Sequence, residues 1–155
     1  MTDYEQLNRQ LAGLIGGVKH PTANLANASA LLYESLPSLN WAGFYLREGE
    51  ALVLGPFQGR PACIEIPLGR GVCGTAAALD AVQVVPDVHA FPGHIACDSA
   101  SRSEIVVPIH GPDGKVIGVL DIDSPETDRF SDEDRIGLEG FAAVLEREMF
   151  SPEGN

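Results

Sequence analysis

The stretch of the chain that most suggests chemistry is a polar segment bounded by Gly93 and Glu104, which contains His94, Cys97 and Arg102. A cysteine reacts through its thiolate, and positively charged neighbours in a partly exposed site favour that form. His94 and Arg102 are candidates for those neighbours. The segment therefore indicates thiol chemistry at Cys97, although a cysteine beside a histidine, taken alone, is more often structural.

The chain has three cysteines, Cys63, Cys73 and Cys97. An odd number argues against a fixed framework of disulfides and leaves buried thiols, a metal site or redox chemistry. His94 and Cys97 form a His-x-x-Cys pair, but no Cys-x-x-Cys pair accompanies it, so the spacing argues against zinc and we expect no metal. Cys73 falls in the first turn of a predicted short helix, 72–79, where the helix dipole favours a thiolate.

A second chemical group consists of three acids, Glu104, Asp121 and Asp123. Asp121 and Asp123 lie two residues apart near the end of an otherwise apolar predicted strand, so both side chains point to one face. Clustered carboxylates repel one another, and they therefore bind a cation or share protons at raised pKa. The sequence lacks the Asp-x-Asp-x-Asp-Gly spacing of a calcium loop, so a substrate ammonium group fits the cluster better.

The position of Glu104 relative to these acids depends on the turn of a predicted hairpin, 104–110 and 115–124. A two-residue turn at Asp113-Gly114 pairs Glu104 with Asp123, whereas a turn at Pro112-Asp113 pairs it with Asp121. Both arrangements bring the three acids to one face. A three-residue loop without a bulge would separate them.

The elements that must position these groups follow from the hydrophobic pattern. The predicted first helix has apolar residues at helical spacing over 4–18, starts at a capping box of Thr2 and Glu5 and is ended by Gly16-Gly17. A second helix runs from Thr22 and stops at Pro37. The last helix opens at Ser131, and its predicted packing face consists of Ile136, Phe141, Val144, Leu145 and Met149. Between them, the predicted strands are 39–46, 52–54, 62–66, 83–85 and the two of the hairpin, with a long connection from 86 to 103.

The first strand places Trp41, Gly43 and Tyr45 on one face. Two aromatic residues flanking a glycine leave a gap between their rings. The glycine marks either a bulge in a core strand or the floor of an aromatic-walled pocket.

Composition limits the classes of protein and partner. The chain has 155 residues, 45% of them hydrophobic, and a formal net charge of -12. We therefore expect one domain, residues 1–150, with a flexible tail at 151–155. The negative charge argues against nucleic acid and anionic membranes as partners. The sequence shows neither a bilayer-spanning apolar run nor a signal peptide, so we expect a cytoplasmic protein.

The predicted architecture resembles an α+β GAF domain, with helices at both ends, an antiparallel sheet of about six strands between them and a cysteine-bearing loop over one face. The sequences of five motifs resemble the free methionine-(R)-sulfoxide reductases more specifically, and the resemblance extends from about Leu25 to Leu145. The motifs are Asn40-Trp41-Ala42-Gly43-Phe44-Tyr45, Leu54-Gly55-Pro56-Phe57-Gln58-Gly59, Gly69-Arg70-Gly71-Val72-Cys73-Gly74-Thr75-Ala76, His94-Ile95-Ala96-Cys97-Asp98 and Gly118-Val119-Leu120-Asp121-Ile122-Asp123-Ser124.

The resemblance implies a role for each cysteine. Cys97 matches the catalytic cysteine, which attacks the sulfoxide sulfur and becomes a sulfenic acid. Cys63 matches the resolving cysteine, which forms a disulfide with it that thioredoxin reduces, and Cys73 matches a second cysteine whose role is less settled. No cofactor is implied beyond the reducing equivalents from thioredoxin, and a homodimer is compatible with the family.

The resemblance also assigns the remaining pocket residues. Trp41 and Tyr45 match the aromatic wall around the substrate's methyl end, and Glu104, Asp121 and Asp123 match the acids of the pocket. Two other functions use the same features: a GAF module that senses a small molecule, and a redox sensor that forms the disulfide without turnover. Consumption of methionine sulfoxide distinguishes the enzyme from both.

Overall fold

A computed structural model of the protein describes residues 2–95 and 97–150. The predicted tail, 151–155, lies outside the described residues. The helices are α1 (Tyr4–Ile15), α2 (Pro21–Ser35), α3 (Gly71–Leu79) and α4 (Asp132–Phe150). The strands are β1 (Trp41–Glu48), β2 (Ala51–Gly59), β3 (Glu65–Pro67), β4 (Gln83–Val85), β5 (Ser103–His110) and β6 (Val116–Ser124).

The strands form one sheet in the order β3-β2-β1-β6-β5-β4, and all neighbours are antiparallel. This confirms the predicted α+β architecture with six strands. The alternation of side chains along each strand creates two apolar layers. One layer packs under α1, α2 and α4, with Phe44 and Leu120 at its centre, and the other lies under α3 and contains Trp41 and Tyr45. The predicted faces of the first strand are therefore confirmed.

The start of α1 differs from the prediction. Asp3, not Thr2, caps the helix, because its carboxylate accepts a hydrogen bond from the N–H of Gln6 at 3.0 Å. The predicted capping box is therefore wrong. The helix ends at Ile15 because Gly16 leaves the helical conformation, so the predicted end at Gly16-Gly17 is confirmed.

Several predicted boundaries and one packing residue also change. The third strand is Glu65–Pro67 rather than residues 62–66, which leaves Cys63 in the preceding loop. In α4, Ile136 is 58% exposed, and the neighbouring Leu138 is buried instead. The predicted cap of α4 is present, since Ser131 Oγ accepts from the N–H of Asp134 at 3.2 Å.

The β5–β6 register decides the arrangement of the acids. Glu104 lies opposite Asp123, and Val106 lies opposite Asp121. This is the first of the two predicted registers. All three acids consequently share the face of the sheet that carries Trp41.

The hairpin loop gives this register with a three-residue loop and a bulge, not with the predicted two-residue turn. The N–H of Gly111 donates to Lys115 O at 2.9 Å, so residues 112–114 form a three-residue loop. Gly114 closes it at φ +81°, in the region that favours glycine. A bulge next to His110 offsets the additional residue. The bulge therefore keeps the acids together.

Gly43 marks both a bulge and a close approach. The register between β1 and β2 shifts between Gly43 and Tyr45. A Cβ at Gly43 would lie 2.3 Å from Phe57 Cβ. Phe57 of β2 therefore lies directly against Gly43, and the bulge interpretation of the glycine is confirmed.

His110 ties the sheet to two helices. Its Nδ1 lies 2.7 Å from Glu146 of α4, and its Nε2 lies 2.6 Å from Asp80 at the end of α3. Partial burial lowers the pKa of His110, but the hydrogen bonds to Asp80 and Glu146 outweigh it, so the pKa lies above its usual value of 6.5.

A raised pKa in the folded state predicts a pH-dependent contribution to stability. The contribution is complete below the unfolded pKa and disappears as pH rises through the folded pKa. We expect the free energy of unfolding of the native protein to exceed that of His110→Gln by about 1 kcal/mol at pH 6 and by less at pH 9. Urea unfolding of both proteins at each pH measures this, and a pH-independent difference would contradict it.

No helix among the described residues is both long and apolar enough to cross a bilayer.

Candidate active site

A small cavity lies between the sheet, the start of α3 and the connection that precedes β5. Its volume is about 40 Å³. Of the eight predicted site residues, seven line it: Trp41, Tyr45, Cys73, Cys97, Glu104, Asp121 and Asp123. The eighth, Cys63, is covalently bonded to Cys97. The fold therefore brings every predicted site residue to one place.

The three acids lie on neighbouring strands of the sheet. Asp123 is opposite Glu104 on one side and Trp41 on the other, while Asp121 is opposite Gly43. Their exposed fractions are 7% for Glu104, 5% for Asp121 and 8% for Asp123. Three carboxyl groups are thus removed from solvent side by side.

Such an arrangement favours protonation. Burial raises the pKa of Glu104 well above its usual range, and the carboxyls of Asp121 and Asp123 raise it further. Burial also raises the pKa of Asp121 and Asp123, but hydrogen bonding by Glu104 acts against the rise at both. Glu104 hydrogen-bonds with both neighbours, and it is therefore the group that most strongly retains a proton.

Cys73 does not have the predicted thiolate character. It lies in the first turn of α3, as expected, but the residue is 4% exposed. Burial raises its pKa well above the usual value, and Asp121 and Glu104 raise it further. Desolvation and like charge therefore outweigh the helix dipole. The Sγ of Cys73 lies 3.9 Å from Glu104 Oε2 as a hydrogen-bond donor.

Aromatic rings form one wall of the cavity. The Trp41 ring stacks on Tyr45 at a centroid distance of 5.9 Å and on Phe57 at 5.0 Å. The polar atoms of this wall hold the segment before β3. Trp41 Nε1 donates to Arg60 O at 3.1 Å, and Tyr45 Oη donates to Cys63 O at 2.8 Å. The wall therefore fixes the backbone of Cys63 as well as enclosing the cavity.

A disulfide joins Cys63 to Cys97, with 5.4 Å between their Cα atoms, and Cys73 is a free, buried thiol. The disulfide connects the β2–β3 loop to the connection that precedes β5. Cys97 lies in the lining of the cavity, so the disulfide ties that lining to the β2–β3 loop.

Asn40 holds the segment that carries Cys97. Its Nδ2 donates to Asp98 Oδ2 at 3.0 Å and to Ser101 Oγ at 2.9 Å. Its backbone N–H donates to Asp123 O at 3.0 Å. One residue thus links the loop to the acid-bearing strand.

The two predicted positive neighbours of Cys97 do not act as predicted. Burial, together with nearby His89, lowers the pKa of His94, so the imidazole that lines the cavity is neutral at pH 7. Arg102 is exposed and is not among the described residues that line the cavity. The cationic side chain in the lining is Arg70, at the start of α3.

Sequence reasoning missed the structural roles of Asn40, Phe57 and Ser101. Asn40 and Phe57 belong to motifs that carry the family resemblance, and Ser101 belongs to the polar cysteine segment. Their contacts are between distant parts of the chain, so no local spacing reports them.

Comparison with known proteins gives the same family. The GAF domain model matches residues 21–149. The free methionine-R-sulfoxide reductase of Escherichia coli is 58% identical over 144 residues, covering 93% of this chain and 87% of the relative.

Two solved structures of substrate complexes also match. The structure of fRMsr of Staphylococcus aureus in complex with substrate has a TM-score of 0.91 and 54% identity, covering 96% of this chain and 97% of that one. The free methionine-R-sulfoxide reductase of Neisseria meningitidis, in complex with its substrate, has a TM-score of 0.90 and 46% identity, covering 94% and 87%. The chain therefore belongs to the GAF-domain family and, within it, to the free methionine-R-sulfoxide reductases.

Proposed function

We propose that the protein reduces free methionine-R-sulfoxide to methionine, with Cys97 as the nucleophile, Cys63 as the resolving cysteine and thioredoxin as the reductant. The observation that carries the proposal is the Cys63–Cys97 disulfide at a cavity lined by three buried acids. The disulfide is the form expected after turnover, and the acids supply the proton that the reaction requires. A cytoplasmic location fits, because thioredoxin keeps thiols reduced there.

The proposed reaction is balanced in three steps. Cys97 Sγ attacks the sulfoxide sulfur, whose oxygen takes a proton. The hydroxyl group then passes from the substrate sulfur to Sγ as the S–O bond and the new S–S bond break, so methionine leaves and the cysteine becomes a sulfenic acid. The Cys63 thiol then displaces water from the sulfenic acid and forms the disulfide. Thioredoxin reduces that disulfide by thiol exchange, and its own dithiol is oxidised.

Each part of the substrate has a complementary group at the cavity. The stacked Trp41 and Tyr45 rings suit the apolar methyl end, and the ionised acids suit the α-ammonium group. The first turn of α3 lacks a side-chain cap, so its N–H groups, with Arg70, are available to the α-carboxylate. The site is thus suited to a free amino acid.

The test of the proposed function is consumption of NADPH coupled through thioredoxin reductase and thioredoxin. We expect turnover with free methionine-R-sulfoxide and a kcat/KM roughly 10- to 100-fold lower with the N-acetyl derivative, because the amide leaves buried carboxylates without their cationic partner. Equal rates would contradict the proposed role of the acids. No turnover with reduced thiols would contradict the reductase itself and favour a redox sensor.

Docking of the reductant gives a further prediction. Ile64, next to Cys63, is 73% exposed, and an apolar side chain beside the disulfide offers contact area to a protein partner. We expect Ile64→Asp to lower kcat/KM for thioredoxin roughly tenfold and to leave turnover with dithiothreitol unchanged. Ile136→Asp is the matched control, since Ile136 is an exposed isoleucine of α4. Equal slowing with both reductants would contradict this role.

A further inference from the structure

We propose that Tyr45 and Asn40 are positioning residues for the step in which the Cys63–Cys97 disulfide forms. The inference rests on the proposed function, in which Cys63 resolves a sulfenic acid at Cys97. Tyr45 lies inside β1, and Asn40 directly precedes that strand. Each of the two side chains holds the segment of one cysteine, so the start of β1 acts as a common template for the pair.

Tyr45 holds Cys63 by the backbone of the cysteine itself. Tyr45 is 2% exposed, and its hydroxyl donates to Cys63 O at 2.8 Å. Burial raises the pKa of Tyr45 well above its usual range, and the carboxyl of Asp121 raises it further. The hydroxyl is therefore protonated at neutral pH and stays a hydrogen-bond donor.

Two more hydrogen bonds fix the chain on either side of Cys63. Trp41 Nε1 donates to Arg60 O at 3.1 Å, and the backbone N–H of Leu54 donates to Ile64 O at 2.9 Å. These two bonds and the Tyr45 bond involve no sulfur atom, so each can persist when the disulfide is reduced. The sheet therefore holds the resolving cysteine independently of the disulfide.

Asn40 holds the segment of the other cysteine. Its Nδ2 donates to Asp98 Oδ2 at 3.0 Å and to Ser101 Oγ at 2.9 Å. The second carboxylate oxygen of Asp98 accepts from the N–H of Ala100 at 2.9 Å. Asp98 directly follows Cys97 in the chain, so fixing its carboxylate restricts where the Cys97 sulfur can lie.

The position of both segments matters because disulfide formation is an intramolecular reaction. Its rate and its equilibrium depend on the effective concentration of one sulfur at the other, which is lower when a segment must be ordered during the reaction. A hydrogen bond that orders the segment in advance removes part of that cost. Loss of one such bond is expected to lower the effective concentration about threefold to tenfold.

The step itself needs no reactant beyond the two cysteines. Cys63 Sγ attacks Cys97 Sγ, the S–O bond of the sulfenic acid breaks, and water leaves with the hydroxyl oxygen and the thiol proton. Tyr45 and Asn40 supply no atom to the products. They act on the reaction through the positions of the two sulfur atoms.

The first test is the equilibrium of the disulfide with mixtures of reduced and oxidised glutathione, which requires no substrate. The disulfide forms as oxidised glutathione is reduced to two thiols, and peptide mapping after an acid quench measures the fraction of Cys63 joined to Cys97. We expect Tyr45→Phe and Asn40→Ala each to lower the equilibrium constant about threefold to tenfold.

Tyr4→Phe is the matched control for these variants. The Tyr4 hydroxyl donates to Asp134 Oδ1 at 2.6 Å, between α1 and α4. The substitution therefore removes the same kind of hydrogen bond from the opposite side of the sheet. It should leave the equilibrium constant of the disulfide unchanged.

The second test follows one turnover of the reduced protein with free methionine-R-sulfoxide and no reductant. Release of methionine measures the attack by Cys97, and appearance of the disulfide in the same samples measures the resolving step. In Tyr45→Phe and Asn40→Ala, the interval between the two events should be about threefold to tenfold longer than in the native protein. Dimedone should trap the sulfenic acid of Cys97 during that interval. A change in substrate binding alters the release of methionine but not the interval that follows it.

An equilibrium constant and an interval equal to those of the native protein would overturn the role of the substituted residue. An equal change in Tyr4→Phe would overturn the whole proposal, because general loosening of the fold would then account for the effect. A native protein that releases no methionine would contradict the proposed function instead. The glutathione equilibrium would still decide whether Tyr45 and Asn40 position the two cysteines.

Discussion

Cys97→Ser is expected to lose all measurable turnover of free methionine-R-sulfoxide, a decrease of about 10⁴-fold or more. A serine hydroxyl at neutral pH is a far weaker nucleophile than a cysteine thiolate, and it has no stable counterpart of the sulfenic acid. The measurement is methionine released per protein molecule in a single turnover, without any reductant, starting from fully reduced protein.

Cys63→Ser is the matched control, because it also lacks the Cys63–Cys97 disulfide. Any loss of stability from the missing bond is therefore common to both variants. We expect Cys63→Ser to release one methionine and then stop with thioredoxin, with Cys97 held as a sulfenic acid. Cys73→Ser should continue through many turnovers, since Cys73 is outside the disulfide.

The pattern of these three variants separates the roles of the cysteines. Release of methionine by Cys97→Ser would show that another cysteine attacks the sulfoxide. Continued thioredoxin-dependent turnover by Cys63→Ser would show that Cys73 resolves the sulfenic acid instead.

The elements of the fold were predictable because their periodicity is local. Alternation in β1 separates Trp41 and Tyr45 from Phe44, and the structure places them on opposite faces as expected. The boundary errors have physical causes of the same local kind. Asp3 competes with Thr2 for the cap of α1, and the pattern alone does not rank them.

The site was predictable in its membership, mainly through the family motifs, but not in its electrostatics. Cys73 was expected to favour a thiolate because it begins α3, yet the pKa rises because the first turn faces buried acids. His94 was expected to be a cation, yet burial keeps it neutral. Desolvation depends on what the folded chain places over a group, and the sequence around the group does not contain that information.

Contacts between distant segments were likewise beyond sequence reasoning. Asn40 holds the Cys97 loop through Asp98 and Ser101, and Phe57 lies directly against Gly43. These contacts join residues that are far apart in the chain, so no local spacing predicts them.

Glu104→Gln is expected to lower kcat by about 10²- to 10⁴-fold, the usual contribution of a general acid. Glutamine preserves the shape and the hydrogen bonds to the neighbouring acids but cannot deliver a proton to the sulfoxide oxygen. In the native protein, activity should fall at high pH, as Glu104 ionises through its raised pKa. The variant should lack that alkaline decrease, which a pH profile of kcat measures.

Glu104→Gln is expected to be more stable than the native protein, although it is less active. A carboxyl group whose pKa is higher in the folded than in the unfolded state lowers stability progressively as pH rises above the unfolded value. Glu104→Gln removes this ionisation and its repulsion with Asp121 and Asp123, so it should need more urea than the native protein to unfold at pH 8. Glu65→Gln, exposed on β3, should change neither property. Loss of activity together with a gain in stability would identify Glu104 as a group retained for proton delivery, because replacing a merely structural acid would lower both activity and stability. An unaltered kcat would instead assign the proton to Asp121 or Asp123.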